Sequence, residues 1–440
     1  MSTRFSTVVA TPAASVDAAQ QALILASVEA AALWINSYVQ GTGKVAIEIN
    51  FDPVIPTMSG ASVSDRTTGN VMAANGHSYH LSQEGVAAEM RDGVDVNGST
   101  SDAVINIGTT NLNRYYWFDS TLATANDIPS NKTDGFRVLL HEMLHTLGFN
   151  GWLANDSAYT GDTISAYDSF LVQSNGRTFF TGAEAEKAFG GPVPVSNTHL
   201  GDSTSFAQGI LNGLSTLMSY DSVPNGNRIT LDPVVIGVLR DLGYTVRDSQ
   251  AKFVGEAGKL NTATVGMDST GYHVQKTLDL TWLTFDDRSS YAYLLSNEQR
   301  LAFTDANVAL DTGKGMVAGE AYRIYQAAFH RAPDSAGLGY WIGAMDHGAS
   351  LADVAGGFVG SNEFKAVYGP QPSNGAIVAQ FYQNVLHRPG DQAGITFWTG
   401  VLDEHHASVA EVLAGFSESD ENVAGTVATI GNGFSYTPYA

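Results

Sequence analysis

Between residues 18 and 39 the apolar side chains Ile24, Val28, Ala31, Ile35 and Val39 recur every three or four positions. That spacing predicts a helix with one apolar face, with Ser27 beside the stripe as its small polar interruption. The period then changes. In Val45-Ala46-Ile47-Glu48-Ile49-Asn50-Phe51 the large apolar residues fall at every second position, and Ala103-Val104-Ile105-Asn106-Ile107 follows a turn-rich segment over 92–102, so two strands are expected. A helix starting at Thr133-Asp134, whose side chains can accept from free N–H groups, runs to about Leu147, with Gly148 as a left-handed terminator. Residues 232–242 predict one more helix, ending in Gly243-Tyr244.

A first boundary is placed at 248. Residues 249–318 read as a β-rich connecting region, with Leu278-Asp279-Leu280-Thr281-Trp282-Leu283 partly alternating. Beyond it the chain repeats itself. Tyr325, His330-Arg331, Asp334, Gly337 and Trp341 recur 57 residues later as Tyr382, His387-Arg388, Asp391, Gly394 and Trp398. Phe358, Ser361 and Glu363 recur 58 later as Phe416, Ser419 and Glu421. This predicts a mostly helical tandem repeat over 319–425. Each copy has an aromatic set that it would struggle to cover alone, so the two are expected to pack together. Residues 426–440 are left as a C-terminal tail.

The chain has 440 residues, room for about three domains, and 44% hydrophobic residues, enough for real cores. Forty-four acidic against 22 basic side chains give a formal charge of -22, which argues against nucleic acid as a partner. Cysteine is absent, so disulfides, thiol catalysis and thiolate metal sites are excluded, and any transition-metal site must use His and carboxylate. The most apolar stretch, 22–35, carries Glu29 and is shorter than the ~20 residues of a bilayer-spanning helix, so no membrane span is expected. Met1-Ser2-Thr3-Arg4 opens no ordinary secretory signal peptide. A Gly-rich, acidic, Cys-free composition is compatible instead with bacterial export read at the C-terminus, and the tail is the candidate signal.

The sharpest chemical feature is His141-Glu142-Met143-Leu144-His145, inside the predicted helix. Residues four apart lie about 40° apart around the helix axis, so both imidazoles project from one face and can share a tetrahedral metal. Glu142 sits beside them, placed to take a proton from water that zinc activates. This reads as a catalytic zinc site.

The run His141-Glu142-Met143-Leu144-His145-Thr146-Leu147-Gly148-Phe149 resembles the metzincin zinc peptidases. Most of that clan takes its third ligand three residues after the glycine, where this chain has Gly151, which cannot ligate. Metzincins similar to leishmanolysin bring the third histidine from much farther along. Here Thr198-His199-Leu200 supplies one, and Ser215-Thr216-Leu217-Met218-Ser219-Tyr220 looks like the clan's Met-turn. The resemblance covers about 20–245. It implies an α+β metzincin-like catalytic domain over 1–248, a mixed sheet plus active-site helix, with zinc held by His141, His145 and His199. Met218 would form a packed floor, and Asp156, Asp162 and Asp202 are the next candidates should His199 not ligate. Met218-Ser219-Tyr220 is also similar to serralysins and astacins, in which that tyrosine can touch zinc or stabilise the oxyanion. Tyr220 is therefore a catalytic candidate, with a cleft-wall role as the alternative.

Other residues read more plainly. His77 and His80 have no fixed acidic partner, and Tyr115-Tyr116-Trp117-Phe118 suits a cleft wall or core equally. His330, His387, His405 and His406 lie in the repeats and read as structural. Asp92, Asp95, Asn97 and Asp102 can gather oxygens around Ca2+, but the spacing lacks the EF-hand glycine register, which favours a polar turn.

The repeats, with Tyr322-Arg323-Ile324-Tyr325-Gln326-Ala327-Ala328-Phe329 and Ala336-Gly337-Leu338-Gly339-Tyr340-Trp341, resemble a domain of unknown function from bacterial surface and type I-secreted proteins. Residues 297–305 look like the β element that commonly precedes it. This resemblance implies an extracellular or cell-surface setting, with a surface contact through the repeats, and no chemistry. The expectation is a secreted zinc endopeptidase acting on proteins or peptides. A non-enzymatic surface or adhesion protein on a peptidase scaffold is the alternative, and a metal-dependent hydrolase of non-peptide substrates a third reading.

Overall fold

The computed structural model describes residues 5–11, 16–41, 43–63, 65–73, 76–122, 125, 127–151, 161–196, 199–200, 216–218, 225–286 and 292–439. It is a mixed α/β chain. Fourteen α-helices and seven sheets occur among the described residues, and since no sheet exceeds four strands the cores depend on helices packed against them. The chain divides into two compact units, one of residues 1–252 with 271–295, the other of 253–270 with 296–440. Residues 249–318, expected to form one connecting region, are thus divided between both units.

In the first unit the expected strands are Val45–Asp52 and Ala103–Gly108, paired in parallel with Ile47 opposite Ala103. The strand Phe5–Thr11 adds a parallel neighbour on one side. Met58–Ser62 adds an antiparallel edge on the other, with Gly60 opposite Ile105. Period-2 alternation does what it dictates: Val45, Ile47, Ile49 and Phe51 are all buried. The first helix is Ala18–Asn36, opened by Asp17, whose carboxylate accepts from the Gln20 N–H at 2.9 Å. Ser27 is fully buried in it and donates to the Leu23 carbonyl at 2.8 Å, so the polar interruption is satisfied inside the helix.

The helix stops at Asn36, three residues short of the apolar stripe. Val39 is nevertheless fully buried, in a two-residue strand Val39–Gln40 paired with Thr245–Val246. Burial kept its place while the backbone changed form. By length and composition Ala18–Asn36 is the one helix among the described residues suited to cross a bilayer: 19 residues, mean hydropathy 1.4. It is longer than the stretch 22–35 suggested, because Ala18-Ala19-Gln20-Gln21 continue it N-terminally. In the fold its Ile24, Val28, Ala31 and Ile35 are core residues, and Trp34 meets Phe136 edge to face at 5.5 Å.

Residues 271–295 return to this unit as an antiparallel hairpin, Tyr272–Thr277 with Leu280–Phe285. Trp282 is fully buried with its ring 6.3 Å from Trp34, and Thr277 donates to the Ala26 carbonyl.

The second unit is built on the repeat. Helices Val317–Phe329, Ser335–Asp346, Leu351–Val359 and Asn362–Tyr368 are matched by Asn374–Leu386, Gln392–Asp403, Val409–Ser417 and Asp420–Ile430. The recurrence extends to contacts. Tyr325 packs on Phe358 as Tyr382 does on Phe416, and Arg331 pairs with Glu363 as Arg388 does with Glu421. The copies share one core, and Asn384 of the second donates to the Ala327 and Ala328 carbonyls of the first. Of the expected tail, 426–440, the described residues 426–439 are instead folded in: they end the last helix and supply strand Phe434–Tyr436, paired with Asn307–Ala309.

Candidate metal centre

The helix carrying the His-Glu-x-x-His run is Gly135–Thr146. Its N-cap, Asp134, is fully buried, and its carboxylate accepts from Arg228 at 2.9 Å, with Asp119 on the same guanidinium. Phe136, Leu139, Leu140, Met143 and Leu144 fill the core. Gly148 has φ +104°, a conformation that side chains rarely adopt, and at this turn the Phe149 carbonyl comes round to accept from His145 Nδ1 at 2.7 Å.

His199 opens the strand His199–Leu200, last in an antiparallel set with Leu171–Ser174, Arg177–Phe180 and Val193–Ser196. Leu200 donates its N–H to the Met218 carbonyl at 2.9 Å. The Leu217 carbonyl accepts from His141 Nδ1 at 2.9 Å. The segment 216–218 is itself tied to Asp232, whose Oδ2 accepts from Thr216 Oγ1 at 2.7 Å and from the Leu217 N–H at 3.0 Å. Asp232 Oδ1 meanwhile caps helix Pro233–Asp241 at Val234 and Val235. Met218 is fully buried.

These ties bring three imidazoles to one point. His141 Nε2 lies 3.1 Å from His199 Nε2 and 3.2 Å from His145 Nε2. Nitrogens sharing a tetrahedral zinc at ~2.0–2.1 Å stand roughly 3.3 Å apart, so the set fits such an ion. With Nδ1 of His141 and His145 facing carbonyls, their Nε2 atoms carry lone pairs, the state that ligates. Burial holds all three imidazoles below the usual histidine range, His141 to about 3 and His199 to about 4, with the neighbouring His145 adding to both. They are therefore neutral at pH 7.

Glu142 is buried, and burial pushes its carboxyl up to about 8 against the Gly60 N–H, which donates to Oε2 at 2.8 Å. A cation at the imidazoles would favour the carboxylate again. Gly60 has a second reason to be glycine: a Cβ there would collide with the Glu142 backbone carbonyl. Arg137, one turn before His141, has a buried Nη1 without a partner among the described residues, and its charge adds to the lowering of His141.

Of the other candidates, Tyr220, Asp156 and Asp202 lie outside the described residues. Asp162 is exposed and outside the triad. His77 and His80 are exposed. Phe118 is core, while Tyr115 and Trp117 are exposed and Tyr116 lies close enough to Glu142 for its hydroxyl to be pushed up by that charge as well as by burial. His330 and His387 both end helices at φ +52°, and His406 pairs with Glu404. Asp92 is taken by Arg66 and Arg91, whereas Asp95 and Asp102 meet Glu89, which the sequence reading had not included. Also unforeseen were Gly60, Asp232 and the two carbonyls that orient the imidazoles. Backbone acceptors have no side-chain signature, and Met58-Ser59-Gly60-Ala61-Ser62 shows only one large apolar residue.

Residues 321–368 and 355–426 match a family model described as a domain of unknown function, DUF4214, and these spans fall on the two helical repeats. No curated protein and no solved structure matches the chain.

Proposed function

We propose that the chain is a zinc-dependent endopeptidase of the metzincin kind, with the ion held by His141, His145 and His199 and with Glu142 as general base and then general acid. One observation carries the reading. Three Nε2 atoms converge, two of them on rings whose Nδ1 faces a carbonyl, and lone pairs so opposed repel unless a cation lies between them. When bound, zinc supplies Lewis acidity that polarises a peptide carbonyl and makes water nucleophilic near neutral pH. Three protein ligands leave a position for chemistry, where closed structural sites complete four.

Glu142 takes the proton from water on the oxygen not held by Gly60, then delivers it to the leaving amine. The Gly60 N–H keeps that carboxylate oriented throughout. Met58–Ser62, the outer strand of the central sheet, offers an edge along which an extended peptide can pair, and Gly60 sits in that strand. In the same proposal the protein acts outside the cell or at its surface, as the likeness of the repeats to bacterial surface and type I-secreted proteins suggests.

Glu142→Ala tests the chemistry apart from the metal. The variant is expected to retain about one zinc per chain while peptide hydrolysis, chelator-sensitive in the parent, falls by ~100-fold or more. Hydrolysis of casein by the variant at the parent rate would contradict the mechanism, and a parent that holds zinc yet hydrolyses no peptide would favour a surface protein on a peptidase scaffold.

A further inference from the structure

We infer that Glu89, Asp95 and Asp102 form a second metal site in the first unit, one that takes a calcium ion and is chemically distinct from the imidazole triad. Glu89 lies in helix Gly85–Asp92, Asp95 in the loop after it, and Asp102 directly before strand Ala103–Gly108. One carboxylate oxygen from each lies within 4.8 Å of the others. Oxygens on opposite sides of a calcium ion, each at ~2.3–2.6 Å, are about 5 Å apart, so one ion reaches all three.

Carboxylates near one another are common on an acidic surface. Here, however, Glu89 is only 8% exposed, and its Oε2 is buried with no hydrogen-bond partner among the described residues. Its Oε1 accepts from the Lys44 N–H at 3.1 Å. Asp102, 5% exposed, likewise gives Oδ2 to the Ala46 N–H at 2.7 Å. Backbone donors thus fix one oxygen of each buried carboxylate. Asn97, whose amide donates to the Thr100 and Ser101 carbonyls just before Asp102, holds a further buried oxygen, Oδ1, without a partner among the described residues.

Burial first, and then the charges of its neighbours, push Glu89 and Asp102 above the usual carboxylate range. A buried, unpaired anion is costly, and a cation removes that cost. All-oxygen ligation points to a hard ion. Carboxylates spaced this loosely suit calcium rather than magnesium, which demands a tighter octahedron. The ion would join the end of helix Gly85–Asp92 to the starts of Val45–Asp52 and Ala103–Gly108, the two central strands of the sheet.

The test uses zinc-loaded full-length protein, unfolded by heat in calcium, in magnesium and without either. Calcium at ~100 times its dissociation constant is expected to raise the midpoint by roughly 5 °C. Glu89→Gln is expected to lose that rise, to bind one calcium fewer per chain in equilibrium dialysis, and to unfold no lower than the parent in calcium-free buffer. Asp95→Asn, at an exposed position, should fold as the parent does and bind calcium about tenfold more weakly. No calcium-dependent rise in the parent, a rise unchanged in both variants, or an equal rise in magnesium would each overturn the assignment.

Discussion

Gly148 and Gly60 show how much of the site is set by residues without side chains. The first takes φ +104° where the Phe149 carbonyl turns to His145; the second brings a strand against the Glu142 backbone and gives that carboxylate its one described donor. Glu84 lies behind the first turn, its Oε2 about where a side chain at Gly148 would come closest. It is 7% exposed, and burial, with Asp168 and Asp65 adding repulsion, pushes it up to about 7 from 4.5. The folded chain therefore holds this proton where the unfolded chain releases it. Its contribution to stability is present below pH 4.5 and is lost as pH rises to 7, on the order of 3 kcal/mol. Glu84→Gln should flatten the fall in melting temperature between pH 5 and pH 8 and exceed the parent at pH 8. Equal slopes for parent and variant would contradict this.

Among elements, the short segment 216–218 has the widest influence: Leu217 orients His141, Met218 anchors the residue after His199, and Asp232 holds the segment. Asp232→Ala should cost zinc affinity about 10–100-fold in competition with a chromogenic chelator while leaving all three imidazoles in the chain, since it removes orientation rather than a ligand. Affinity within twofold of the parent would show that the segment holds its place unaided. The helix pair and the central strands were legible because their apolar periods are long. His141, Glu142 and His145 were legible as a cluster because four-residue spacing shares a helix face. His199 was legible only from the order of motifs, and Asp232 only as the first residue of a predicted helix, its bonds to Thr216 and Leu217 being a long-range matter.

For the whole molecule, the sequence boundary at 248 misses what the fold joins. The last predicted helix of the block ends at Gly243-Tyr244, but hairpin 272–285 returns to the first unit because Trp282 is buried there with Trp34. A fragment of residues 1–248 is expected to melt ~10 °C below one of residues 1–295, the loss of one large buried aromatic accounting for most of the difference. Identical melting would place the hairpin outside the unit's stability. The repeats were legible except for their ends, since their recurrence at 57 and 58 residues needs no long-range knowledge but the last helix runs on to Ile430. What holds the last strand, Phe434–Tyr436, onto Asn307–Ala309 was not, because such pairing has no local signature.

The central claim is that three imidazoles, the last 54 residues beyond the second, hold one ion. Metal content by elemental analysis of parent and His199→Ala measures this most directly. The account predicts about one zinc per chain in the parent and a depleted variant; zinc content unchanged on removing His199 would contradict it.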